Sequence, residues 1–450
     1  MTPQRSITLV GAGLAGSLLG IFLARRGFEV TIYERRPDMR KTAIAAGRSI
    51  NLALANRGIH ALRQIGLMDE IERVLIPMAG RMLHDAAGNL QYLAYGQRPE
   101  EVIYSVSRGG LNSLLMDLAE REGVRIEFEH NCRDVDFARN VLTVLDESTQ
   151  ESRELPFTTV IGTDGSASAV RAAILKATGG RCEEQALDHG YKELCIAPGP
   201  NGAFRLDKNA LHIWPRGEFM LIALGNPDGS FTLTLFLPNQ GPESFATLTC
   251  ASAVQAFFEK YFPDTLALLP DLTEQFLSNP LGHLGTVRAE PWHYADKALV
   301  LGDAAHAIVP FHGQGMNCAF EDVSAFDDCL DILSQGWEAV FERFFAERKP
   351  NAEAIADMAL ENYVEMRATV MDPKFALKKQ LSFSLEQRFG ERFIPRYSMV
   401  MFHRLPYAVA KARGAIQAEI LEELTRECDT VEAVDFDRAA RLISEKLTLL

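Results

Sequence analysis

Three glycine-rich turns, each with an acidic residue nearby, are the parts of this sequence whose residue types could do chemistry. The first is "GAGLAG", the second is "GTDG", and the third lies within "LGDAAHAIVPFHGQGMN". Glycine lets a backbone approach a ligand closely and adopt conformations that other residues avoid. A site that binds only a dinucleotide needs one such glycine-rich turn and not three. Three turns spread over about 300 residues therefore predict a large cofactor that extends from an adenosine end to a reactive ring.

The first turn has the pattern Gly-x-Gly-x-x-Gly in a favourable context. It follows a short apolar run and opens a helical pattern, and Glu34 ends the next apolar run 18 residues after Gly16. A helix N-terminus supplies N–H groups and partial positive charge to a diphosphate, and an acid at that distance binds ribose hydroxyls. The alternative is a tight turn with an exposed glutamate. The candidate cofactor-binding residues here are Gly11, Gly13, Leu14, Ala15, Gly16 and Glu34.

The second and third turns extend this prediction toward a flavin. Asp164 follows one apolar strand pattern and Asp303 follows another, which predicts that Asp303 meets the ribityl chain. The backbone of Gly315, Met316 and Asn317, at a predicted helix start, then faces the flavin ring, where a helix N-terminus stabilises negative charge. The alternative is that both aspartates are ordinary turn or cap residues. Together the three turns favour FAD as the cofactor.

Composition excludes several classes of function. The chain has 450 residues and a formal net charge of −14, which argues against nucleic acid as a partner. The seven cysteines are scattered, with no metal-ligand spacing, so we expect no metal and a reduced, cytoplasmic protein. We also expect no secretory signal, because the first apolar run is too short, and no membrane span, because no apolar run approaches the length that a span requires.

The order of patterns predicts an α/β fold: a Rossmann-like GxGxxG FAD-binding domain, an inserted antiparallel-sheet substrate domain and a helical C-terminal region. In "FTLTLFLP" the apolar Phe231, Leu233 and Leu235 alternate with threonines, so one sheet face is apolar and the other is wet or lines a ligand. "RIEFEH" and "VLTVLDE" are expected to pair, and Pro350 to mark a helix break or first turn. The predicted segments are 1–75, 101–180 and 286–370 for FAD binding, 76–100 for the substrate site, 181–285 for the antiparallel sheet and 371–450 for the C-terminal helices.

The motifs "GAGLAG", "DGSASAVR" and "GDAAHAIVPFHGQGMN" together resemble the single-component FAD-dependent aromatic hydroxylases. Longer strings, among them "LHIWPRGEFMLIALGN", "MALENYVEM" and "FIPRYSMVMFHRLPY", resemble the kynurenine 3-monooxygenase group of that family over nearly the full length. This resemblance implies hydroxylation of L-kynurenine at ring position 3 through a flavin C4a-hydroperoxide, with NADPH and O2 as co-substrates. The charged C-terminal tail is similar to the soluble bacterial form, and a homodimer is a further expectation.

The resemblance also implies roles for particular residues. Arg81, Tyr95, Asn362 and Tyr397 are expected to bind the amino-acid end of the substrate. The ring is expected in an apolar pocket lined by Phe236, Leu211, Met366, Phe311 and His312. His312, beside Phe311, is the candidate catalytic side chain, either bonded to the ketone or assisting proton movement. Further cofactor-binding candidates are Arg35, Ala53 and Arg108.

Plain structural alternatives exist for each of these residues, and other functions compete. Arg81 could lie in a surface turn, both tyrosines could be packing residues, and His312 could simply pack its turn. Asn362 could face solvent, because its neighbours Glu361 and Glu365 suggest that one face of the helix is wet. A flavin-dependent halogenase would need a WxWxIP-type string, which none of the three tryptophans forms. A hydroxylase of another aromatic compound remains an alternative. A flavin-binding redox sensor is a third reading, and it predicts bound FAD without substrate-stimulated NADPH oxidation.

Overall fold

The structure is a computed structural model that describes residues 6–41, 51–368 and 372–450. The first part of the predicted strand "GRSINLAL", residues 47–50, lies outside the described residues. The chain forms two compact units made of alternating segments. The first unit comprises residues 1–75, 106–187 and 284–356, and the second comprises residues 76–105, 188–283 and 357–450.

The β-strands are short in the first unit and longer in the second. In chain order they are β1 Ser6–Val10, β2 Glu29–Glu34, β3 Asn51–Leu54, β4 Ile76–Met78, β5 Gly80–His84, β6 Leu90–Ala94, β7 Ile103–Ser107, β8 Arg125–Phe128, β9 His130–Asp136, β10 Val141–Asp146, β11 Ser152–Pro156, β12 Thr159–Gly162, β13 Arg181–Ile196, β14 Ala210–Pro215, β15 Met220–Gly225, β16 Phe231–Pro238, β17 Gly282–Glu290, β18 His293–Tyr294 and β19 Ala298–Val300.

The α-helices lengthen toward the C-terminal part of the chain. They are α1 Leu14–Arg25, α2 Asn56–Gln64, α3 Met68–Ile71, α4 Arg108–Arg121, α5 Ala169–Thr178, α6 Ala251–Tyr261, α7 Leu272–Ser278, α8 Asp303–His306, α9 Gly315–Cys329, α10 Trp337–Arg367, α11 Pro373–Phe389, α12 Arg396–Met401, α13 Tyr407–Thr425 and α14 Phe436–Lys446. None of these helices combines the length and the apolar character needed to cross a bilayer.

The first unit is built around a six-stranded sheet in the order β18-β19-β12-β1-β2-β8. Its five longer strands pair in parallel, as β1 does with both β2 and β12. A parallel pair needs a crossover, and α1 supplies it between β1 and β2. Strands β12 and β19 come from distant parts of the chain. The predicted α/β class, with a Rossmann-like cofactor domain, an inserted antiparallel sheet and C-terminal helices, is confirmed.

One predicted strand pair in the first unit is wrong. "RIEF" forms β8, which joins the parallel sheet beside β2, whereas β10 pairs with β9, the strand His130–Asp136. The reason is local: Glu129 adopts a φ of 61°, a left-handed conformation that ends β8 before His130. The chain then continues in a separate three-stranded antiparallel sheet, β11-β10-β9.

In the second unit, strands β16, β15, β14, β5 and β6 are neighbours in that order in one sheet. The alternation predicted in β16 is confirmed. Phe231, Leu233 and Leu235 are fully buried in a core that also contains Trp214 and the phenylalanines of α6. Side chains at the alternate positions face the other side of the sheet, as the period of two requires. The two faces of this sheet therefore carry different chemistry.

Helices α11, α13 and α14 share a core of their own, which includes Leu381, Leu385, Ile420 and Ile443. The prediction for Pro350 is wrong, since α10 continues through it as one helix of 31 residues. A proline inside a helix removes one backbone hydrogen bond. Tertiary packing offsets that loss, because Phe344 before the proline and Ile355 after it are completely buried.

Candidate active site

The N-terminus of α1 is shaped to receive an anion. Gly11 has a φ of 98°, and a Cβ atom there would lie 2.6 Å from the Thr163 carbonyl oxygen. A Cβ on Gly16 would lie 2.0 Å from the Gly11 carbonyl oxygen, whereas a Cβ on Gly13 would meet nothing within 4 Å. No side chain caps this helix, and its first turn, which includes Leu14 and Ala15, contains no acid. Its first N–H groups therefore face an open space bordered by backbone.

Glu34 lies at the end of β2, next to this turn, and its side chain is buried. Its Oε2 accepts the N–H of Ala12 at 2.8 Å, and its Oε1 accepts the Nε of Arg36 at 2.8 Å. Burial acts to raise the pKa of Glu34, but the bonds from Arg36 outweigh it, so the pKa is lowered. Arg35, the arginine that we predicted from sequence, is exposed. Arg36, which the sequence analysis did not single out, is the arginine that binds Glu34.

A polar side chain that the sequence analysis missed faces the same turn. Asn112, on α4, donates its Nδ2 to the Ala12 carbonyl oxygen at 3.1 Å, while its buried Oδ1 accepts no hydrogen bond from the part of the chain that the structure describes. A buried acceptor without a donor is costly, so a ligand hydroxyl at this point would be stabilised. Arg108 begins the same helix and is exposed. Asn112 lies inside an unremarkable helical pattern, so no sequence signal marked it.

The second turn is a helix cap. Asp164 accepts the Ser168 hydroxyl at 2.5 Å and the Ala169 N–H at 2.8 Å, which closes the N-terminus of α5. This is the plain structural role that we weighed from the sequence. Burial raises the pKa of Asp164 above its ordinary value. Arg171 donates to the Ala304 carbonyl oxygen at 2.9 Å and so connects this turn to α8.

The third turn combines an exposed acid with an uncapped helix. Asp303 starts α8 and is exposed, directly after Gly302 with its φ of 60°. Gly313 has a φ of 65°, and α9 begins at Gly315 with no side-chain cap and no acid in its first turn, which also contains Met316. Phe311 and His312 are buried in the 3-10 turn just before it. The backbone N–H groups at this helix start can therefore stabilise negative charge.

The side chain of Asn317 connects two segments of the first unit. Its Nδ2 donates to the carbonyl oxygens of Ala53 and Gly313, both at 2.8 Å. Its Oδ1 accepts the N–H of Ala55, also at 2.8 Å. The side-chain amide is thus fully used within the protein, where it fastens the end of β3 to the start of α9. Ala53, a predicted cofactor-binding residue, is held in place by this bond.

Asp322 supports the third turn from within α9. Its Oδ2 accepts the Gly302 N–H at 3.0 Å and lies 2.5 Å from the His306 Nε2, while its Oδ1 accepts the Arg348 Nε at 2.7 Å. Burial acts to raise its pKa, but the charges of His306 and Arg348 outweigh it and lower the pKa. His306, Cys318 and Asp322 are close enough to share a metal ion. The Arg348 guanidinium, however, already occupies this group, which we interpret as an ion-pair network that holds Gly302.

In the second unit the structure brings together three of the four residues predicted to bind an amino-acid end. The rings of Tyr95 and Tyr397 are stacked, 5.3 Å apart and 11° from parallel. The Arg81 guanidinium carbon lies 5.7 Å from the centre of the Tyr95 ring and 5.4 Å from that of Tyr397. Arg81 is only 4% exposed, and among the described residues its Nε has no hydrogen-bond partner. A buried arginine with an unused donor fits a carboxylate ligand.

Glu365 is the partner of Arg81 that the sequence analysis misread. It accepts the Arg81 Nη1 at 3.2 Å and lies one helical turn after Asn362 on α10. Burial disfavours the charge on Arg81, but Tyr397 and Glu365 favour it, so the pKa of Arg81 is raised. Asn362 is buried and donates to the Met366 sulfur at 3.2 Å. From the sequence, Glu361 and Glu365 suggested a wet helix face, whereas only Glu361 is largely exposed there, paired with Arg396.

The sheet of the second unit presents the remaining candidates on one face. Leu211 is the register partner of Arg81 on the neighbouring strand, so the two side chains share a face. Phe236 on β16 pairs with Met220 on β15, and Met220 pairs with Pro215 on β14. Pro215 lies four residues after Leu211 on the same strand, so these two side chains lie on the same face. Phe236 therefore shares that face as well. It is the face opposite to the buried phenylalanine and leucine core.

The chain is similar to known proteins over most of its length. A family model described as FAD binding domain matches residues 5–189 and 269–359. The kynurenine 3-monooxygenase of Myxococcus xanthus (strain DK1622) is 52% identical over 444 residues, covering 98% of this chain and 96% of the relative. That of Xanthomonas axonopodis pv. citri (strain 306) is 48% identical over 444 residues, covering 99% and 97%. Among solved structures, the tetrameric form of 2-methyl-3-hydroxypyridine-5-carboxylic acid oxygenase has the same fold, with a TM-score of 0.66 at 18% identity, covering 82% of this chain and 95% of the other.

Proposed function

The chain belongs to the kynurenine 3-monooxygenases, which are FAD-dependent monooxygenases, and from this we propose that it hydroxylates L-kynurenine at ring position 3 with NADPH and O2 as co-substrates. The observation that supports this substrate best is the buried Arg81 between two stacked tyrosines, with its Nε unpaired. An arginine in that setting suits a planar carboxylate such as that of an amino acid.

FAD is the cofactor, and the residues of the first unit fit it. The open space at Gly13, before an uncapped helix start, suits a diphosphate, and the orphaned Asn112 Oδ1 suits a hydroxyl donor. We propose that Glu34 holds the adenosine ribose, Asp303 the ribityl chain, and the backbone at Gly315 and Met316 the flavin ring. Bound FAD supplies the oxygen-activating redox chemistry. The protein orients it with backbone N–H groups.

The amino-acid end of L-kynurenine carries one negative and one positive charge. We propose that Arg81, with Tyr95 and Tyr397, binds the carboxylate, and that Glu365 binds the α-ammonium. Burying either charge unpaired would be costly, so a site with both signs is required. Arg81 and Glu365 are paired with each other, so both charges are compensated within the protein, and we propose that the substrate replaces that bond.

The aromatic end requires an apolar surface and exclusion of water. Phe236, Leu211 and Met366 are the candidates in the second unit, and Phe311 and His312 are the candidates beside the start of α9. The aniline amino group already activates the neighbouring ring carbon, so no side chain has to remove a proton from the ring substituent. We propose that His312 assists proton movement near the reacting oxygen and that the protein otherwise acts by positioning and by excluding water.

The test of this function is NADPH oxidation by the purified, FAD-loaded protein with and without L-kynurenine, with the product followed by chromatography. We expect kynurenine-stimulated oxidation and a matching amount of 3-hydroxykynurenine. Stimulated oxidation that yields only H2O2 would mean that the substrate is another aromatic amine. No stimulation would favour a redox sensor.

We further propose that the protein works in the cytoplasm, as a homodimer.

The role of Glu365 predicts a specific defect. We expect Glu365→Gln to raise the KM for L-kynurenine about ten-fold, because a neutral amide binds an ammonium less strongly than a carboxylate does. Inhibition by the analogue that lacks the α-amino group should be the same in both proteins. Glu361→Gln, on the exposed side of the same helix, is the matched control. If Glu365→Gln weakens the binding of L-kynurenine and of this analogue equally, Glu365 does not bind the α-ammonium.

Lys379, on α11, predicts a pH dependence. Burial lowers its pKa to about 7, with Arg81 adding to the effect and Glu365 opposing it. Its ammonium therefore helps to attract a carboxylate only below about pH 7, and we expect KM to rise about five-fold between pH 6 and pH 8.5. The lowered pKa means that the folded protein binds this proton less tightly than the unfolded chain does. The free energy of unfolding that Lys379 contributes therefore increases as pH rises above about 7.

Lys379→Arg should flatten the pH profile of KM, since arginine keeps its charge over this range. Lys378→Arg is the matched control, because Lys378 is the neighbouring residue and pairs with Glu422 instead. If Lys379→Arg keeps the wild-type slope, another group governs the pH dependence.

A further inference from the structure

Two buried histidines form a hydrogen-bonded chain on the core side of the second unit's sheet. His84 is the last residue of β5, and His212 lies on β14; they are 5% and 2% exposed. The His84 Nε2 is 2.9 Å from the His212 Nδ1. At one end the His212 Nε2 is 2.8 Å from the backbone carbonyl oxygen of Asp207, and at the other the His84 Nδ1 is 3.2 Å from the Asp264 Oδ2.

The protons in this chain can be counted. A carbonyl oxygen can only accept, so the His212 Nε2 must carry a proton. The His212 Nδ1 then accepts, and the His84 Nε2 must carry the proton between the two rings. The Asp264 carboxylate also accepts, so the His84 Nδ1 must carry a proton too. The three hydrogen bonds of this chain therefore require three protons on ring nitrogens, whereas two neutral imidazoles carry only two.

The third proton belongs to His84. Burial lowers the pKa of His212 to about 4, so that ring is neutral. Asp264 stays a carboxylate: burial acts to raise its pKa, but the bonds from His84 and Trp214 outweigh burial and lower it. The Trp214 Nε1 donates to the same Oδ2 at 2.7 Å, which further favours a negative charge on that oxygen. His84 and Asp264 are therefore an imidazolium–carboxylate pair.

The other charged groups around His84 are already engaged. Arg216 donates to the His84 carbonyl oxygen at 3.0 Å and to the Tyr261 carbonyl oxygen at 2.7 Å. The Asp85 carboxylate accepts N–H groups of its own turn, and the Asp207 carboxylate accepts the Asn209 N–H. Among the described residues, Asp264 is the carboxylate that lies within hydrogen-bond distance of the His84 ring. The charge of His84 thus depends on Asp264.

We propose that His84 is a charged positioning residue for the substrate site, a role that rests on the proposed function. Its strand also carries Arg81, and the strand of His212 carries Leu211, the register partner of Arg81. The imidazolium fastens these two strands to the segment Pro263–Leu268, which contains Asp264, from the face opposite to the substrate. Loss of the His84 charge loosens the strand pair and weakens substrate binding, while the chemical step is retained.

The first test does not depend on the function. The protein is labelled with 15N in its histidine rings, and the signals of His84 are identified because they are missing in His84→Asn. Nitrogen NMR at pH 7 should then show that both ring nitrogens of His84 are protonated. In Asp264→Asn, which removes the carboxylate, His84 should be a neutral imidazole at the same pH. A neutral His84 in the wild-type protein at pH 7 would overturn the proposal, whatever the enzyme acts on.

The second test connects the charge to the substrate site. We expect Asp264→Asn to raise the KM for L-kynurenine about five-fold at pH 7 with kcat retained. Asp271→Asn, at the exposed start of α7, is the control. An unchanged KM in a folded Asp264→Asn protein would remove the positioning role and leave only the charge pair.

Discussion

Replacement of Arg81 by methionine is expected to raise the KM for L-kynurenine about 100-fold or more. The guanidinium is buried between Tyr95 and Tyr397, and methionine keeps much of the volume while it removes every donor and the charge. The substrate carboxylate would then be buried without a partner. Arg81→Lys should have a smaller effect, because lysine retains the charge but cannot form two parallel bonds. Steady-state kinetics at saturating NADPH measure both.

The control for Arg81 is Arg404→Met, which removes the same charge from an exposed position in the second unit. Its KM should match the wild type. Loss of Arg81 also leaves Glu365 without its partner, so thermal unfolding must be measured alongside the kinetics. A folded Arg81→Met protein with an unchanged KM would show that the carboxylate binds elsewhere.

The second large effect is expected at Gly13, where alanine should weaken FAD binding about 100-fold. The backbone there has a φ of −72° and a ψ of −176°, which alanine adopts without strain, and an added Cβ meets no protein atom within 4 Å. The methyl group would instead occupy the space in front of the uncapped helix, where we place the diphosphate. Flavin absorbance after gel filtration and quenching of FAD fluorescence measure the loss.

Substitution of Gly16, in the same turn, cannot test where the diphosphate binds. Gly16→Ala would put a methyl group 2.0 Å from the Gly11 carbonyl oxygen and 2.5 Å from the Thr163 hydroxyl, so the turn itself must shift. We expect that variant to unfold at a lower temperature even without FAD. Gly13→Ala should keep the thermal midpoint of the FAD-free protein. Full FAD occupancy in Gly13→Ala would mean that the diphosphate lies away from this turn.

The features that could be predicted from the sequence are those encoded locally. The Gly11–Gly16 turn and Glu34 are joined by one strand and one helix of regular length, so spacing is enough to predict their proximity. The alternation in β16 likewise follows from a period of two. Arg81, Tyr95 and Tyr397 were predicted through resemblance rather than spacing, and their proximity depends on tertiary packing.

The features that were missed depend on contacts between distant residues. Glu365 looked like one of two solvent-facing acids because the helical pattern of α10 does not reveal that Arg81, 284 residues away, is its partner. Arg36 follows the end of β2, and the sequence alone does not show that its side chain returns to Glu34. Asn112 carries no periodic or motif signal, and its importance follows from one carbonyl oxygen in another segment.

The interleaved segments of the two units have a consequence for synthesis on the ribosome. In the central sheet of the first unit, β12 lies between β1 and β19, and β19 ends at Val300. A nascent chain that ends before this residue leaves one edge of β12 unpaired, with Val160 and Ile161 exposed although they are fully buried in the finished protein. An unpaired apolar edge is prone to aggregation. Two thirds of the chain must therefore emerge before this sheet can close, and we expect growing chains to depend on chaperones until then.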